Sequence, residues 1–287
     1  MACRPATLSA AAAPVLVGTA IASHEAPLRL GTFLGTLAGA GFLQIASNLA
    51  NDVFDHEKGA DTEDRLGPTR AVQAGLLTGA QMKRGLYVCL FFALLVGCYL
   101  TWVAGPVVVA IGLVSMLAAV AYTGGPYPLG YHGLGDLFVL IFFGFVAVGG
   151  SAFVQLGYVP SLALLAALPI GAVTTNILVV NNLRDRHTDV HAGKRTLAVR
   201  FGRRFAELQY IALYGISYSI PVFLAIGPQW SIWVLAPLLT IPLALKNISG
   251  VCATEGAGLN AYLIKSAKLV FFYGALFALG LWQGKLS

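Results

Sequence analysis

The stretch "NLANDVFDHEKGAD" (48–61) decides how this chain is read. It gathers Asn48, Asn51, Asp52, Asp55 and Asp61 into one short run, directly after residues 30–47, which carry no charge. An uncharged run ending in carboxylates suits a helix that leaves lipid at its last turns. The rest of the chain agrees. Of 287 residues, 57% are hydrophobic and only 10% charged, against about a quarter charged in a soluble domain. Such a chain cannot cover a globule with polar surface, so most of it is predicted to lie in lipid. The 33 glycines suit close helix contact there, where small residues let backbones approach.

A spanning helix needs about 20 apolar residues. Nine candidates are predicted, at 5–23, 30–52, 81–103, 106–122, 135–157, 160–182, 205–226, 230–248 and 262–283. The first reads as a spanning helix rather than a signal peptide, because further apolar spans follow it. Short turns with Pro or Gly, such as "AGPV" (104–107), "GYVP" (157–160) and "IGPQ" (226–229), join helices as hairpins. The longer connections are 53–80, 123–134, 183–204 and 249–261. With nine spans, all of the 18 Lys and Arg residues except Arg29 and Lys285 fall on one face. The positive-inside rule makes that face cytoplasmic and puts the C-terminus opposite. The net charge of +6 is thereby read as topology, not as nucleic-acid binding. Cys3, Cys89, Cys98 and Cys252 form no CxxC pair and read as small hydrophobes rather than a disulfide frame or zinc site.

Most of the acidic residues share the basic face. Asp52, Asp55, Glu57, Asp61, Glu63 and Asp64 follow the second span, and Asp185 and Asp189 follow the sixth. Asn51 and Asp55, four apart, share a helix face, as do Asn48 and Asp52; Asn181, Asp185 and Asp189 form a second stripe. "NDVFD" (51–55) and "NNLRD" (181–185) both read N-x-x-x-D, four spans apart. Each precedes a basic, Thr-bearing segment, "GPTRAVQAG" (67–75) and "GKRTLAVRFG" (193–202). The expectation is an all-α membrane protein of two related four-helix halves around a central cavity that opens at the cytoplasmic side. Taken singly, carboxylates at helix ends are most often solvated caps; their repetition on matching spans argues for a site. Oxygen ligands suit hard cations, and Mg2+ is usually held by one or two carboxylates plus substrate phosphates. Lys58, Arg65, Arg70, Lys194 and Arg195 are placed to neutralise the remaining charge of a diphosphate. A substrate with an apolar tail and an anionic head explains carboxylates at the membrane edge.

At these residues the sequence resembles the UbiA superfamily of intramembrane prenyltransferases, over nearly the whole chain as a single membrane domain (1–287). The resemblance implies nine helices and two Asp-rich motifs, here Asn51, Asp52, Asp55 and Asp61, and Asn181, Asn182, Asp185 and Asp189. "SNLANDVFDHEKGADTEDRLGPTRAVQAG" (47–75), "YTGGPYPLGYHGLGD" (122–136) and "NNLRDRHTDVHAGKRTLAVRFG" (181–202) are most similar to the 1,4-dihydroxy-2-naphthoate branch, which makes menaquinone precursors. The shorter spacing NDxxDxxxD of many relatives is broken: Gly59 takes its last position and Asp61 follows. "RPATLSAAAAPVLVG" (4–18) also fits the branch, with Ala6 where a basic residue is usual.

The resemblance implies Mg2+ held by Asp52, Asp55, Asp61, Asp185 and Asp189, a polyprenyl diphosphate donor, and a bacterial inner-membrane location. Ionisation would leave an allylic cation, steadied by Tyr122, Tyr127 and Phe rings, which the naphthoate ring attacks with loss of carbon dioxide. Asn51, Asn181 and Asn182 would position metal or diphosphate; helix-end capping is the plainer role for them, as an interfacial site is for Tyr122. Asp136 either orients a basic side chain or caps the fifth span. His187 and His191 read as solvated loop residues, since no third soft ligand stands near. Other expectations are a related enzyme with another acceptor (4-hydroxybenzoate, homogentisate, a porphyrin or a phosphosugar) and a transporter, whose site would lie nearer the bilayer midplane.

Overall fold

The computed structural model describes residues 3–59, 66–228 and 230–284, and the regular elements among them are helices. In order they are α1 (Leu8–Ala22), α2 (Leu30–Glu57), α3 (Gly79–Ala104), α4 (Val107–Ala121), α5 (Gly135–Leu156), α6 (Ser161–Arg184), α7 (Arg186–His191), α8 (Leu197–Ile226), α9 (Ile232–Ala253) and α10 (Leu259–Gly284). Seven of them, α2, α3, α5, α6, α8, α9 and α10, are long and apolar enough to cross a membrane. The helices α1 and α4 are apolar but have 15 residues each. They stand where the first and fourth spans are expected, but they are shorter than those ranges. Pro5 opens a separate 3-10 turn ahead of α1, and Tyr122 leaves the helix at the end of α4.

Elsewhere the helices outrun the apolar stretches. The helix α2 continues to Glu57, so Asp52 and Asp55 remain on helix. At the start of α3 the Thr78 hydroxyl accepts the Gln81 N–H while the Gln81 side chain accepts the Thr78 N–H, a reciprocal cap. Gly202, at φ 82°, breaks α8 after its first turn, and the continuous span follows it. The middle of α5 is wound as a π-helix over Leu140–Val146, a local underwinding that often marks functional sites.

Two close approaches set the packing. A Cβ on Gly144 of α5 would lie 2.6 Å from the Ala167 carbonyl oxygen, and one on Gly171 of α6 would lie 2.6 Å from that of Leu140. These two backbones therefore touch. On α2, Gly31, Gly35 and Gly39 present the same helix face to Tyr99 and Val96 of α3, the small-residue seam expected between helices in lipid. The most enclosed span is α6, packed against α8, α5, α10 and α1. Large side chains such as Trp102, 85% exposed, and Ile226, 79%, point outward, where lipid is their natural solvent.

Successive helices pair in the same way in the two halves, α2 with α3 and α6 with α8, yet the cavity is shared unequally. It is lined by α1, α2, α3 and α4, by α5, α6 and α7, and by the first two turns of α10, while α8 and α9 lie behind. Its volume is about 720 Å³. On α2 its wall runs from Thr36 to Asp55 in steps of three and four residues. At 1.5 Å per residue that is ~28 Å, close to the ~30 Å of hydrocarbon in a bilayer.

Candidate active site

The last three turns of α2 point Asn48, Asn51, Asp52 and Asp55 at the cavity, and the end of α6 with α7 brings Asn181, Asn182, Asp185 and Asp189 to the same mouth. The two N-x-x-x-D runs thus meet at one opening. Asp55 is the most heavily engaged. One oxygen accepts the Tyr131 hydroxyl at 2.7 Å; the other accepts Arg70 at 2.6 Å and Lys194 at 3.0 Å. Arg70 comes from the connection after α2 and Lys194 from the connection after α7, so one carboxylate joins segments of both halves. Asp52 pairs with Arg4 and lies 3.5 Å from the Arg70 Nε. Arg4 gets there because the Asn48 amide donates to the Cys3 carbonyl and to the Thr7 hydroxyl. Its backbone is left-handed, at φ 42°, a conformation that costs a non-glycine residue about 1–3 kcal/mol.

The second cluster is arranged differently. Arg184, buried, donates to both oxygens of Asp185, to Asn181 Oδ1 at 2.9 Å and to Asn260 Oδ1 at 2.8 Å. Asn260 in turn donates to the Leu66 carbonyl, which fastens the connection after α2 to α10. Asp189 is buried, and its side chain has no hydrogen bond to the described residues. Burial pushes its carboxyl up to about 7; Asp185 and Asp55 push the same way, against Lys194. A buried carboxylate beside two others, with oxygen as the only donor atom, fits a hard cation. Among the described residues no three His, Cys, Asp or Glu side chains close around a single ion, so such a cation would draw the rest of its ligands from substrate oxygens and water.

The structure redistributes several residues singled out from the sequence. Asp61 and Arg65 lie outside the described residues. Arg70 and Lys194 line the cavity, but Lys58 and Arg195 do not. Lys58 stands over the Tyr131 ring at 4.6 Å and donates to the Thr123 carbonyl, while Arg195 is exposed, its N–H spent on the Tyr131 carbonyl. Tyr122 does line the cavity, its ring 5.7 Å from that of Phe138, which lies 4.3 Å from Phe142. Tyr127 does not: its ring is exposed and stacked on His132 at 3.7 Å, because Gly125, at φ 77°, turns the chain outward. Asp136 is buried off the cavity and receives the Gln209 amide at 3.1 Å, not a basic group. His187 and His191 are exposed.

Arg4, Tyr131, Thr123 and Arg184 were not singled out from the sequence. Thr123 donates to Asn51 Oδ1 at 2.8 Å and holds the amide at the mouth. Tyr131 lies between Lys58 and Lys194, each within 5 Å of its ring centre, and burial with Asp55 keeps its phenol far above the usual range. It is therefore a hydrogen-bond donor that holds Asp55. Arg184 carried a signal, being the one charged residue between Asn181 and Asp185 in the second N-x-x-x-D run.

A helical membrane bundle around one deep apolar cavity, with carboxylates, amides and cationic groups at its mouth, defines a class of membrane enzyme built for an amphiphile with an anionic head. The chain belongs to the UbiA prenyltransferase family, which is matched over residues 11–262. It is 37% identical to the 1,4-dihydroxy-2-naphthoate octaprenyltransferase of Escherichia coli (strain K12), across 97% of this chain and 92% of that one. It is 35% identical to the protein of the same name from Mycobacterium tuberculosis, across 99% and 96%. Among solved structures it is similar to a UbiA homolog from Aeropyrum pernix K1, with a TM-score of 0.71 at 14% identity over 93% of this chain and 96% of that one. A homolog from Archaeoglobus fulgidus bound to DMAPP and Mg2+ gives 0.60 at 16% identity over 96% and 97%. At such identities the likeness is one of fold.

Proposed function

We propose that this integral membrane protein, acting as one domain in a bacterial inner membrane with its site on the cytoplasmic face, transfers a polyprenyl group from polyprenyl diphosphate to 1,4-dihydroxy-2-naphthoate. The observation that carries the reading is the meeting of both acidic runs at the mouth of a cavity that is apolar below. Relatives named for this reaction at 35–37% identity supply the acceptor. The product is demethylmenaquinone at its quinol level.

Asp52, Asp55 and Asp189, with Asp185 and the Asn51 and Asn181 amides, would hold Mg2+ together with the donor's diphosphate. Bound there, Mg2+ supplies Lewis-acid polarisation and charge neutralisation for the leaving group. The chain's own groups do the rest. Arg70 and Lys194 already point at the mouth and would exchange part of their hold on Asp55 for diphosphate oxygens, where fixed cations stabilise developing charge. Below them, Tyr122, Phe138 and Phe142 offer ring faces to the allylic carbon, and the apolar wall excludes water that would capture it. The carbon–oxygen bond to the diphosphate breaks. A carbon–carbon bond forms at the ring carbon bearing the carboxylate, and carbon dioxide departs, leaving its electron pair to restore the aromatic ring. No oxidant or added proton is required.

The test is purified protein with Mg2+, polyprenyl diphosphate and carboxyl-labelled dihydroxynaphthoate. Labelled carbon dioxide should appear in step with prenylated product. A product that keeps the label refutes this acceptor chemistry, and prenylation of 4-hydroxybenzoate or homogentisate instead would reassign the acceptor.

A further inference from the structure

The far end of the cavity carries a feature that the chemistry at the mouth leaves unused. Leu100 of α3, Val108 of α4 and Val154 of α5 form a separate buried cluster, with Val96, Ala104 and Phe153 packed against it. All three also line the cavity. They sit near the end of α3, the start of α4 and the end of α5, at the opposite end of the bundle from Asp55 and Asp185. The cavity therefore ends against an apolar floor.

That floor is anchored from behind. The Arg29 guanidinium donates to the Val154 and Gln155 carbonyls at 2.5 Å each. The Arg29 N–H donates to the Gln155 side chain, whose amide returns a bond to the Arg29 carbonyl. A cation on the last carbonyls of a helix satisfies groups with no partner within it and complements its dipole. Val154 is thereby held at a fixed depth. Just above the floor the wall is made of small residues: Ala93 and Gly97 on α3, Gly112 and Ser115 on α4, Gly150 on α5. A Cβ added at Gly97 or Gly112 meets nothing within 4 Å.

We propose that the Leu100, Val108 and Val154 cluster, fixed by Arg29, is the stop that sets the longest prenyl tail taken up in full, and that Gly97 and Gly112 keep the space above it clear. This rests on the prenyl-diphosphate reading above. With the diphosphate fixed at the mouth, each added isoprene unit reaches deeper. The unit that meets the floor must fold back or leave the cavity for lipid, and loses the fitted contacts of the cavity wall, not its apolar surroundings.

The experiment measures kcat/KM for geranyl, farnesyl, geranylgeranyl and longer diphosphates with Mg2+ and dihydroxynaphthoate. One methylene of misfit in an apolar pocket changes selectivity about 10–200-fold. Gly112→Leu, and separately Gly97→Leu, should lower the ratio of long-donor to short-donor kcat/KM at least tenfold, moving the preferred length down. Leu100→Ala with Val154→Ala should move it up. The Gly variants add volume to open space, so they keep the test alive if the Ala pair fails to fold. A folded Gly112→Leu protein whose length profile superimposes on the wild type, or falls by one factor at every length, overturns the proposal. Thermal stabilisation by the same donors with Mg2+ and no acceptor separates the two readings. A length-dependent shift that Gly112→Leu moves supports the stop even where no acceptor is prenylated. A wild type stabilised equally by every length rejects it.

Discussion

At the residue scale, Asp55 and Asp185 concentrate the site's charge. Each is held by cationic neighbours in a nearly dry setting, where a charge change costs far more than at a surface. Asp55→Asn and Asp185→Asn change charge with little change in volume. Each should lower kcat/KM about 10²–10³-fold, the usual cost of losing one preorganised electrostatic group, while the protein elutes as wild type from a sizing column. Near wild-type turnover in either variant would remove that residue from the metal and diphosphate site. Tyr131→Phe takes one hydrogen bond from Asp55 and leaves the ring between the two lysines, so a smaller loss of about tenfold is expected, with the same Mg2+ requirement. Full turnover in excess EDTA would end the case for that requirement.

How far the sequence carried the reading also shows at this scale. Asp52, Asp55, Asp185 and Asp189 were legible because a helix repeats every three to four residues and the two runs share a spacing. Arg4 and Tyr131 were not. Arg4 reaches Asp52 across 48 positions of chain, through a backbone conformation that no local pattern announces. Tyr131 reaches Asp55 across 76. Arg195 misled because proximity in sequence to Lys194 says nothing about direction: Lys194 turns in, and its neighbour spends its backbone on a loop.

At the element scale, the crossing of α5 and α6 is set by two glycines whose backbones touch. Gly144→Val would drive methyl groups into the Ala167 carbonyl and the Gly171 Cα, atoms that cannot rotate away. Overpacking of this kind costs about 1–3 kcal/mol, to be read as a lower melting temperature in detergent. An unchanged melting temperature would mean the two helices sit farther apart than described. Glycine content foretold close packing in general, but not which pair would touch, since periodicity gives a face and not its partner. The short α1 and α4 were over-read for a related reason: hydropathy continues through Pro5 and Tyr122, where helical hydrogen bonding does not.

At the scale of the whole molecule, the proposed sidedness rests on the placement of Lys and Arg. Single cysteines on a Cys-less background are expected to react with an impermeant thiol reagent on intact cells at positions 158 and 228, and to be protected at 60 and 192. Labelling of the second pair alone would invert the protein. The two-half pattern was legible as a repeat and reappears in the helix pairing. The unequal sharing of the cavity was not, because α8 matches α2, which lines the cavity, in mean hydropathy, and hydropathy does not tell which of two such helices faces the cavity.

The depth of that cavity has a kinetic consequence. The tail that arrives on the diphosphate is the tail that leaves on the quinol, and both need the same ~28 Å of wall, as counted along α2 at 1.5 Å per residue. A second donor cannot seat itself until the first tail has withdrawn. The quinol should therefore inhibit competitively against prenyl diphosphate and not against the naphthoate. At saturating acceptor the steady state should be paced by tail exchange with the surrounding lipid, visible as a burst of product in the first turnover. Inhibition competitive with the naphthoate, and a linear start without a burst, would show that the tail clears the cavity before the ring does.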